Sequence, residues 1–385
     1  MFAARGGFLG QYVVPPPPAP DWQDITGSDI APVVSTWDLT GSRSYTTYNV
    51  GSSIWSTNLA YAGFVAHPNG KIYGAPALKQ TNNILEFDPV TGSSQEIATG
   101  QSLTGGLRFI CGNLGSDNRI YWWPFNMDKA MIFDPDTNSF ELQNWGLTFS
   151  NPAYELGMVA GDKMYVIGTP STALVYNVTA NTATTSSLGL GTLGTNGAKW
   201  VSGVRSIENE KLYAAPYNTG GPSNNRSILI IDPATDTAQV QTYGFTFGTQ
   251  ASQGITNAKN GNLYMTGHTT TTVYTLDPSA NTMVSLGNGT KVMGATMGPD
   301  GNVYCGPWTT GMWIDVDTNT KFTNPTTVMP SGANRWGCLN QGNLMVQMPN
   351  ATSNTHAVVI TVDGTGSTDA NVGLYSWTGY FNRDR

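Results

Sequence analysis

The fold of this chain is decided by a short stretch, Gly-Lys-Ile-Tyr-Gly-Ala-Pro at residues 70–76, that returns in related form six more times. Each copy is a turn followed by a strand-like run with an aromatic or large apolar residue at one fixed place. The seven anchor residues at that place are Tyr73, Tyr121, Tyr165, Tyr213, Tyr264, Tyr304 and Met345. They are separated by 48, 44, 48, 51, 40 and 41 residues. A strand-rich period in the forties is typical of propeller blades.

A five-residue turn recurs downstream of six of the anchors. Its copies lie at residues 88–92, 134–138, 177–181, 232–236, 277–281 and 315–319. The first position is always Asp or Asn, whose side chain can accept hydrogen bonds from the backbone ahead of it. The fifth position is always Gly, Asn or Asp, the residues that best tolerate a left-handed conformation. The pattern predicts six hairpins, each leading into an outer strand.

A glycine recurs upstream of the anchors, inside an apolar stretch. It is present as Gly63, Gly157, Gly203, Gly254, Gly294 and Gly337, whereas the second unit is irregular and offers Gly105 and Gly106. A glycine inside a strand indicates that another chain segment approaches closely. The crowded innermost strands of a propeller would supply that approach.

These repeats predict an all-β protein, a seven-bladed β-propeller of four-stranded antiparallel blades, over residues 35–385. An extended N-terminal part precedes it, divided into an anchor peptide at 1–14 and a proline-rich linker at 15–34. Closure of the ring is open at this point. Either residues 35–39 or residues 372–377 could supply the outer strand of the last blade.

Composition narrows the classes of partner. Charged residues are only 11% of the 385, the net charge is −7, and Lys and Arg are scattered. Neither nucleic acid nor an anionic membrane surface is expected to bind such a chain. No run approaches the ~20 apolar residues of a membrane span, so no membrane insertion is expected. Three cysteines without paired spacing indicate buried core residues rather than a disulfide framework.

The N-terminal segment does not follow the repeat. Residues 1–14 carry a single charge, and a proline run at 15–18 favours an extended, semi-rigid spacer. Phenylalanines beside glycines suit a peptide that docks into another protein, so we expect Phe2, Arg5 and Phe8 to be the anchoring residues. The alternative is a disordered tail.

The two ends of the chain carry a resemblance. The opening Met-Phe-Ala-Ala-Arg-Gly-Gly-Phe and the ending Gly-Tyr-Phe-Asn-Arg at 379–383 resemble the termini of small virion proteins from tailed bacteriophages. In that group a short N-terminal peptide attaches to the particle and a β-rich body projects from it. The resemblance implies localisation in the virion, other virion proteins as partners of the N-terminal peptide, and multiple copies per particle.

Arginines and tryptophans near strand ends are the candidate ligand-binding residues. Arg108, Arg205 and Arg335 could form a ring of guanidinium groups around the channel, or be isolated polar residues. Tryptophans could stack on sugar rings or pack between blades, and the candidates are Trp123, Trp200, Trp308 and Trp336. The prolines next to Trp123 and Trp308 predict exposure, because proline marks the exit of a strand.

No motif for catalysis, metal or cofactor binding is found. The histidines His67, His268 and His356 lack metal-ligand spacing. The turns at 134–138 and 315–319 mimic the start of a calcium loop without its later glycine and glutamate, and turn formation explains them. No cofactor, no metal and no catalytic residue is therefore predicted.

The sequence favours a non-enzymatic virion structural protein, a tail or head fibre, appendage or adhesin whose propeller binds host-surface glycan or a neighbouring subunit. The first alternative is a glycan-degrading propeller enzyme using Glu155, Asp300 and Arg335. The second is a scaffold propeller that binds only protein.

Overall fold

The computed structural model is built of strands, 28 in all among the residues that it describes. The described residues are 43–51, 60–78, 82–103, 106–149, 154–168, 172–188, 200–216, 227–245, 252–267, 271–298, 300–307, 311–323, 335–341, 344–349 and 356–362. The predicted anchor peptide and linker, with Phe2, Arg5 and Phe8, lie outside them. In this described part no helix is long and apolar enough to span a bilayer.

The strands form seven four-stranded antiparallel sheets. The first, innermost strands of the sheets are β2 (Tyr61–Ala66), β6 (Phe109–Leu114), β10 (Tyr154–Ala160), β14 (Trp200–Arg205), β18 (Ser252–Asn257), β22 (Val292–Met297) and β26 (Arg335–Gln341). The second strands carry the anchors and are β3 (Ile72–Pro76), β7 (Ile120–Pro124), β11 (Lys163–Gly168), β15 (Leu212–Pro216), β19 (Leu263–Gly267), β23 (Val303–Pro307) and β27 (Leu344–Pro349).

The two remaining strands of each sheet lie further from the axis. The third strands are β4 (Asn83–Phe87), β8 (Ala130–Asp134), β12 (Ala173–Asn177), β16 (Ser227–Asp232), β20 (Thr272–Asp277), β24 (Met312–Asp315) and β28 (His356–Val362). The outer strands are β5 (Ser94–Ala98), β9 (Ser139–Gln143), β13 (Thr182–Ser186), β17 (Thr237–Thr242), β21 (Thr282–Asn288), β25 (Thr320–Thr323) and β1 (Arg43–Asn49).

The innermost strands contact one another in sequence order, and β26 contacts β2 again. The ring therefore closes, and the prediction of a seven-bladed propeller is confirmed. Blade 1 is β2–β5, blades 2 to 6 follow in fours, and blade 7 consists of β26, β27, β28 and β1. Hydrophobic clusters lie between successive blades, for example between blades 4 and 5. Burial of these inter-blade faces supplies the core.

The N-terminal side of the chain closes the ring. Strand β1 pairs with β28 through seven consecutive residue pairs, from Arg43 opposite Val362 to Asn49 opposite His356. The closing strand is thus neither of the two predicted segments: it begins at Arg43, and residues 35–39 and 372–377 lie outside the described residues. The outer strands are exposed and polar, so little in the sequence of β1 distinguishes it from a loop.

The glycines of the innermost strands are explained by close approach. All seven of these strands carry a bulge against the second strand of their blade. A Cβ on Gly254 would lie 2.7 Å from the backbone nitrogen of Ala295 in the next blade. In the irregular second unit the glycine at this approach is Gly112, whose Cβ would lie 2.6 Å from the carbonyl oxygen of Gly63. Crowding at the axis is therefore confirmed as the reason for the glycine.

The predicted turn chemistry is also confirmed. In the first turn the Asp88 carboxylate accepts hydrogen bonds from the backbone nitrogens of Val90, at 2.8 Å, and Thr91, at 3.1 Å. All six fifth-position residues have positive φ, between 48° and 73°: Gly92, Asn138, Asn181, Asp236, Asn281 and Asn319. These hydrogen bonds also explain the calcium-like pattern at residues 134–138 and 315–319.

The propeller has two unlike faces. The face that we call the turn face holds the connections from first to second and from third to fourth strands. In blade 1 these connections are residues 67–71 and 88–93, and in all blades they are two to six residues long. The loop face holds the other connections, whose lengths range from three residues (289–291) to thirteen (187–199). Loops of unequal length on a rigid scaffold are where binding residues concentrate.

Candidate functional site

The predicted arginine ring does not form at one end of the channel. Arg108 immediately precedes β6 and Arg335 begins β26, so both lie toward the loop face. Arg205 ends the six-residue strand β14 and lies toward the turn face. At ~3.3 Å per residue the two ends of such a strand are roughly 17 Å apart. The guanidinium groups of Arg108 and Arg205 therefore cannot bind one carboxylate together.

Arg205 is a buried cation with incomplete pairing. Its side chain is only 7% exposed, and one terminal nitrogen lies 3.5 Å from Glu210 Oε1. Its Nε and other terminal nitrogen have no hydrogen-bond partner among the residues that the structure describes. Arg108 is buried as well, and this burial lowers the pKa of its guanidinium. Both arginines belong to the interior of the ring rather than to an open surface.

The described candidate tryptophans are part of the core. Trp123 is fully buried, donates a hydrogen bond from Nε1 to Asn113 Oδ1 at 2.9 Å, and stacks near Tyr121. The prediction that Trp123 is exposed is wrong, because its ring turns toward blade 3 before the strand ends at Pro124. Trp200 is also buried, between blades 3 and 4. Trp308 and the side chains of Arg335 and Trp336 lie outside the described residues.

The residues named for the enzymatic alternative are not brought together. Glu155 and Arg335 lie in the first two residues of their strands, toward the loop face. Asp300 lies in the turn after β22, on the turn face. The Asp300 carboxylate is buried and forms an ion pair of 2.6 Å with Arg43. Asp300 therefore lies at the opposite end of the ring from the backbones of Glu155 and Arg335.

The ion pair of Arg43 is part of the contact between blade 7, which closes the ring, and blade 6. In the other blades, the turn between third and outer strands faces the preceding blade. Blade 7 has no such turn, because β1 comes from elsewhere in the chain, and Arg43 occupies the corresponding place. Its Nε donates to Tyr304 Oη at 2.6 Å, and its guanidinium lies 3.7 Å over the ring of Trp313. Burial alone would lower the pKa of Arg43, but Tyr304 and Asp300 together hold that pKa above its ordinary value.

The other anchor tyrosines reach the next blade in several cases. Tyr264 Oη donates to Asn319 Oδ1 of the following blade at 2.6 Å, and Tyr165 donates to Asp236. Burial raises the pKa of Tyr165, and the Asp236 carboxylate raises it further. We call these contacts tyrosine latches. They account for Asn319 and Asp236 at the fifth turn position, since Gly there would satisfy the backbone but accept no side-chain hydrogen bond.

The junction between blades 1 and 2 lacks a tyrosine latch. Tyr73 Oη accepts from Asn69 at 2.8 Å and donates to Glu86 Oε2 of its own blade at 3.0 Å. Asn138, the fifth turn residue of blade 2, makes no side-chain hydrogen bond among the described residues. An open cleft of about 540 Å³ lies here, lined by Asn69, Lys71, Tyr73, Glu86, Gln95, Glu96, Ile97, Ala98, Pro135 and Asn138.

Glu86 is the centre of the polar side chains in this cleft. Its Oε1 accepts from Lys71 Nζ at 2.6 Å and from Gln95 Nε2 at 2.7 Å. The carboxylate is buried, whereas the Lys71 side chain is 36% exposed. Burial raises the pKa of Tyr73, and the charge of Glu86 adds to the effect. The tyrosine hydroxyl therefore stays protonated and donates to the carboxylate.

No arrangement for metal or thiol chemistry is found in the described part of the chain. No group of three or more His, Cys, Asp or Glu side chains is placed to hold a metal ion there. The buried Cys111 and Cys305 form no disulfide. The ring of His67 accepts from the backbone nitrogen of Asn69 at 3.2 Å, and its Nε2 lies 2.9 Å from the Asn118 carbonyl oxygen. This histidine bridges blades 1 and 2.

Comparison with known proteins shows the fold and no more. No family model matches the chain, and no curated protein does. A catalytically inactive variant of virginiamycin B lyase from Staphylococcus aureus, solved with quinupristin, superposes with a TM-score of 0.65 at 12% identity, over 84% of this chain and 100% of that one. A streptogramin B lyase gives 0.63 at 13%, over 86% and 100%.

An extracellular domain gives a comparable superposition. The extracellular domain of a putative hybrid two component system from B. thetaiotaomicron has a TM-score of 0.58 at 12% identity, over 82% of this chain and 42% of that one. Enzymes and extracellular domains thus share this architecture. Identities near 12% establish the β-propeller and leave the activity undecided.

Proposed function

We propose that this chain is a non-enzymatic structural protein of a tailed-phage virion, a fibre, appendage or adhesin. Its N-terminal peptide anchors it to the particle, and its propeller is displayed to bind host-surface glycan or a neighbouring subunit. It is present in several copies per particle. The resemblance of the two termini to phage virion proteins motivates the setting.

The observation that carries the proposal is the role of β1 in the ring. The segment that follows the proposed anchor and linker is itself the outer strand of blade 7, paired along all seven of its residues. Arg43, its first residue, is tied to blade 6 by the Asp300 ion pair. A force applied to the N-terminal peptide is therefore carried by the pairing of β1 with β28 and by the Arg43–Asp300 ion pair, and not by an unpaired strand. This connection suits a body that must stay attached to a particle.

Particle association tests the anchor. In the full chain, Phe2→Ala together with Phe8→Ala is expected to abolish incorporation into purified particles while leaving the melting temperature unchanged. The matched control is Val284→Ala, which removes an apolar side chain that is 55% exposed on blade 5. Incorporation of the double variant at the level of the unaltered chain would refute the anchor, and so would equal loss in the control.

The enzymatic alternative is favoured by one observation, the superposition on two lyases. One of them is a catalytically inactive variant in which a histidine is replaced by alanine. In this chain both ring nitrogens of His67 contact backbone groups, Nδ1 that of Asn69 in its own blade and Nε2 that of Asn118 in blade 2. Incubation of the full chain with host polysaccharide, followed by measurement of released reducing ends or new unsaturated ends, is expected to show no product. Product formation above that of heat-inactivated protein would overturn the non-enzymatic assignment.

A further inference from the structure

Glu86 occupies a position that the other six blades fill differently. It lies directly opposite the anchor Tyr73. The residues opposite the other six anchors are Ile132, Val175, Ile230, Thr275, Trp313 and Ile360. The fold thus accepts aliphatic, hydroxyl and aromatic side chains here. A buried carboxylate at such a place costs free energy that an apolar residue would not, so structure alone does not call for it.

The surroundings of Glu86 leave hydrogen-bonding capacity directed at the cleft. Lys71 uses one of its three donors on Glu86 and is partly exposed. Gln95 uses its amide nitrogen on Glu86, and its amide oxygen remains an acceptor on the exposed outer strand. Asn138 faces the same cleft from blade 2. Donors and acceptors from both blades therefore line the cleft.

The chemistry of the lining selects one ligand class. Two carboxylates and one ammonium line the cleft, which disfavours an anion. The apolar lining is limited to small parts of Ile97, Ala98 and Pro135, which disfavours an apolar molecule. Side chains that both donate and accept suit neighbouring hydroxyl groups, each of which also does both. The volume of about 540 Å³ is within the range of small-molecule sites.

We infer that the cleft between blades 1 and 2 binds a short segment of a neutral glycan, with Glu86 and the Gln95 amide oxygen accepting hydrogen bonds from its hydroxyl groups and Lys71 donating to them. This inference deepens the proposed function and rests on it for the source of the glycan. The rigid blades hold the binding groups in place before the ligand arrives, which lowers the entropic cost of binding. No bond is made or broken in the ligand.

The decisive variant is Glu86→Ile, which installs the residue found opposite the anchors of blades 2, 4 and 7. Because three blades of this ring already hold isoleucine there, the variant is expected to fold with an unchanged or raised melting temperature. The probes are immobilised neutral oligosaccharides of glucose, galactose and N-acetylhexosamine, followed by calorimetric titration of the best binder. Affinity is expected to fall about tenfold or more in Glu86→Ile, as for the loss of a hydrogen bond to a charged group.

A matched pair of outer-strand glutamines supplies the control. Gln95→Ala removes a lining residue of the cleft and is expected to weaken binding. Gln239→Ala removes the glutamine at the corresponding place of blade 4, opposite Ile230, and is expected to leave binding unchanged.

Three results would overturn the inference: no binding to any neutral probe at millimolar concentration, binding restricted to acidic glycans, or equal affinity in the folded Glu86→Ile variant. None of these would affect the proposed anchoring, which is measured by particle association without any glycan. Conversely, loss of anchoring with retained glycan binding would refute the virion setting alone.

Discussion

Replacing Arg43 with alanine is the sharpest test of how the ring is held closed. The guanidinium donates to Asp300 Oδ2 and to Tyr304 Oη, both at 2.6 Å, and lies over Trp313. Its side chain is 16% exposed and that of Asp300 is 4% exposed. The substitution therefore leaves a carboxylate inside the protein without its cation.

The magnitude follows from that burial. Removal of one partner from a buried ion pair costs about 3–5 kcal/mol, chiefly because the remaining charge is uncompensated. With an unfolding entropy of about 2.1 cal/mol/K per residue, the 385 residues of the chain give roughly 0.8 kcal/mol/K. The expected fall in melting temperature is then about 4–6 °C. Hydrogen exchange in β1 is expected to accelerate more than exchange in β14, because the loss falls on the closing strand.

The assay pairs thermal unfolding with a control arginine. Arg119 makes an equally short ion pair with Asp117, 2.6 Å, but both side chains are about a third exposed. Arg119→Ala is expected to cost less than about 1 kcal/mol. A second variant, Arg43→Ala with Asp300→Asn, removes the stranded charge and is expected to recover part of the loss. Equal melting temperatures for Arg43→Ala and Arg119→Ala would refute the reasoning, and so would a double variant less stable than Arg43→Ala.

Three further predictions concern the core and the latches. Gly254→Ala places a Cβ 2.7 Å from the Ala295 backbone and is expected to lower the free energy of unfolding by about 1–3 kcal/mol, measured by chemical denaturation. The neutral control is Gly244→Ala, whose new Cβ would have no other atom within 4 Å among the described residues. Tyr264→Phe removes the 2.6 Å latch and is expected to cost about 1 kcal/mol, measured in the same way. Burial raises the pKa of Tyr154 to about 12, above ~10 for an exposed tyrosine. Stability from this group is complete below about pH 10 and is lost as the pH rises toward 12, so tyrosinate absorbance is expected to rise together with loss of the strand signal in circular dichroism.

Each of these predictions has a contrary outcome. Equal denaturation midpoints for the two glycine variants would remove close approach as the reason for the glycine. A midpoint for Tyr264→Phe equal to that of the unaltered chain would show that the latch adds nothing to stability. Full tyrosine ionisation near pH 10 with the strand signal intact would contradict burial of Tyr154.

The sequence was sufficient for the fold because the same physical demand recurs in every blade. A strand, a close approach and a left-handed turn each allow few residue types. Gly254 and the Asp88 turn can therefore be predicted from the sequence of a single repeat. The closing strand β1 could not be predicted in this way. Outer strands are mostly polar and partly exposed, and the pairing of β1 with β28 spans almost the entire chain.

Site residues were harder to predict because their side-chain direction depends on the register. Arg108 immediately precedes the innermost strand of blade 2, whereas Arg205 ends the innermost strand of blade 4. The two arginines therefore lie toward opposite faces of the ring. The proline after Trp123 correctly marks the end of a strand, but it does not decide which way the preceding ring points. In contrast, a signal for Glu86 was present in the sequence. It becomes visible only when the residues opposite the anchors are aligned across blades, and the pairing register supplies that alignment.

The tyrosine latch and the cleft are two uses of the same position in the repeat. Where the anchor hydroxyl reaches the next blade, as with Tyr264, it fills the junction and holds the turn. Tyr73 instead donates to Glu86 of its own blade, and the adjoining junction holds a polar cleft. Tyr121 also bonds within its own blade, to Asp117, although the residue opposite it is apolar, so the latch and the cleft are set junction by junction. A propeller can lose a latch in this way because stability is shared among seven junctions, whereas binding needs only one of them to differ.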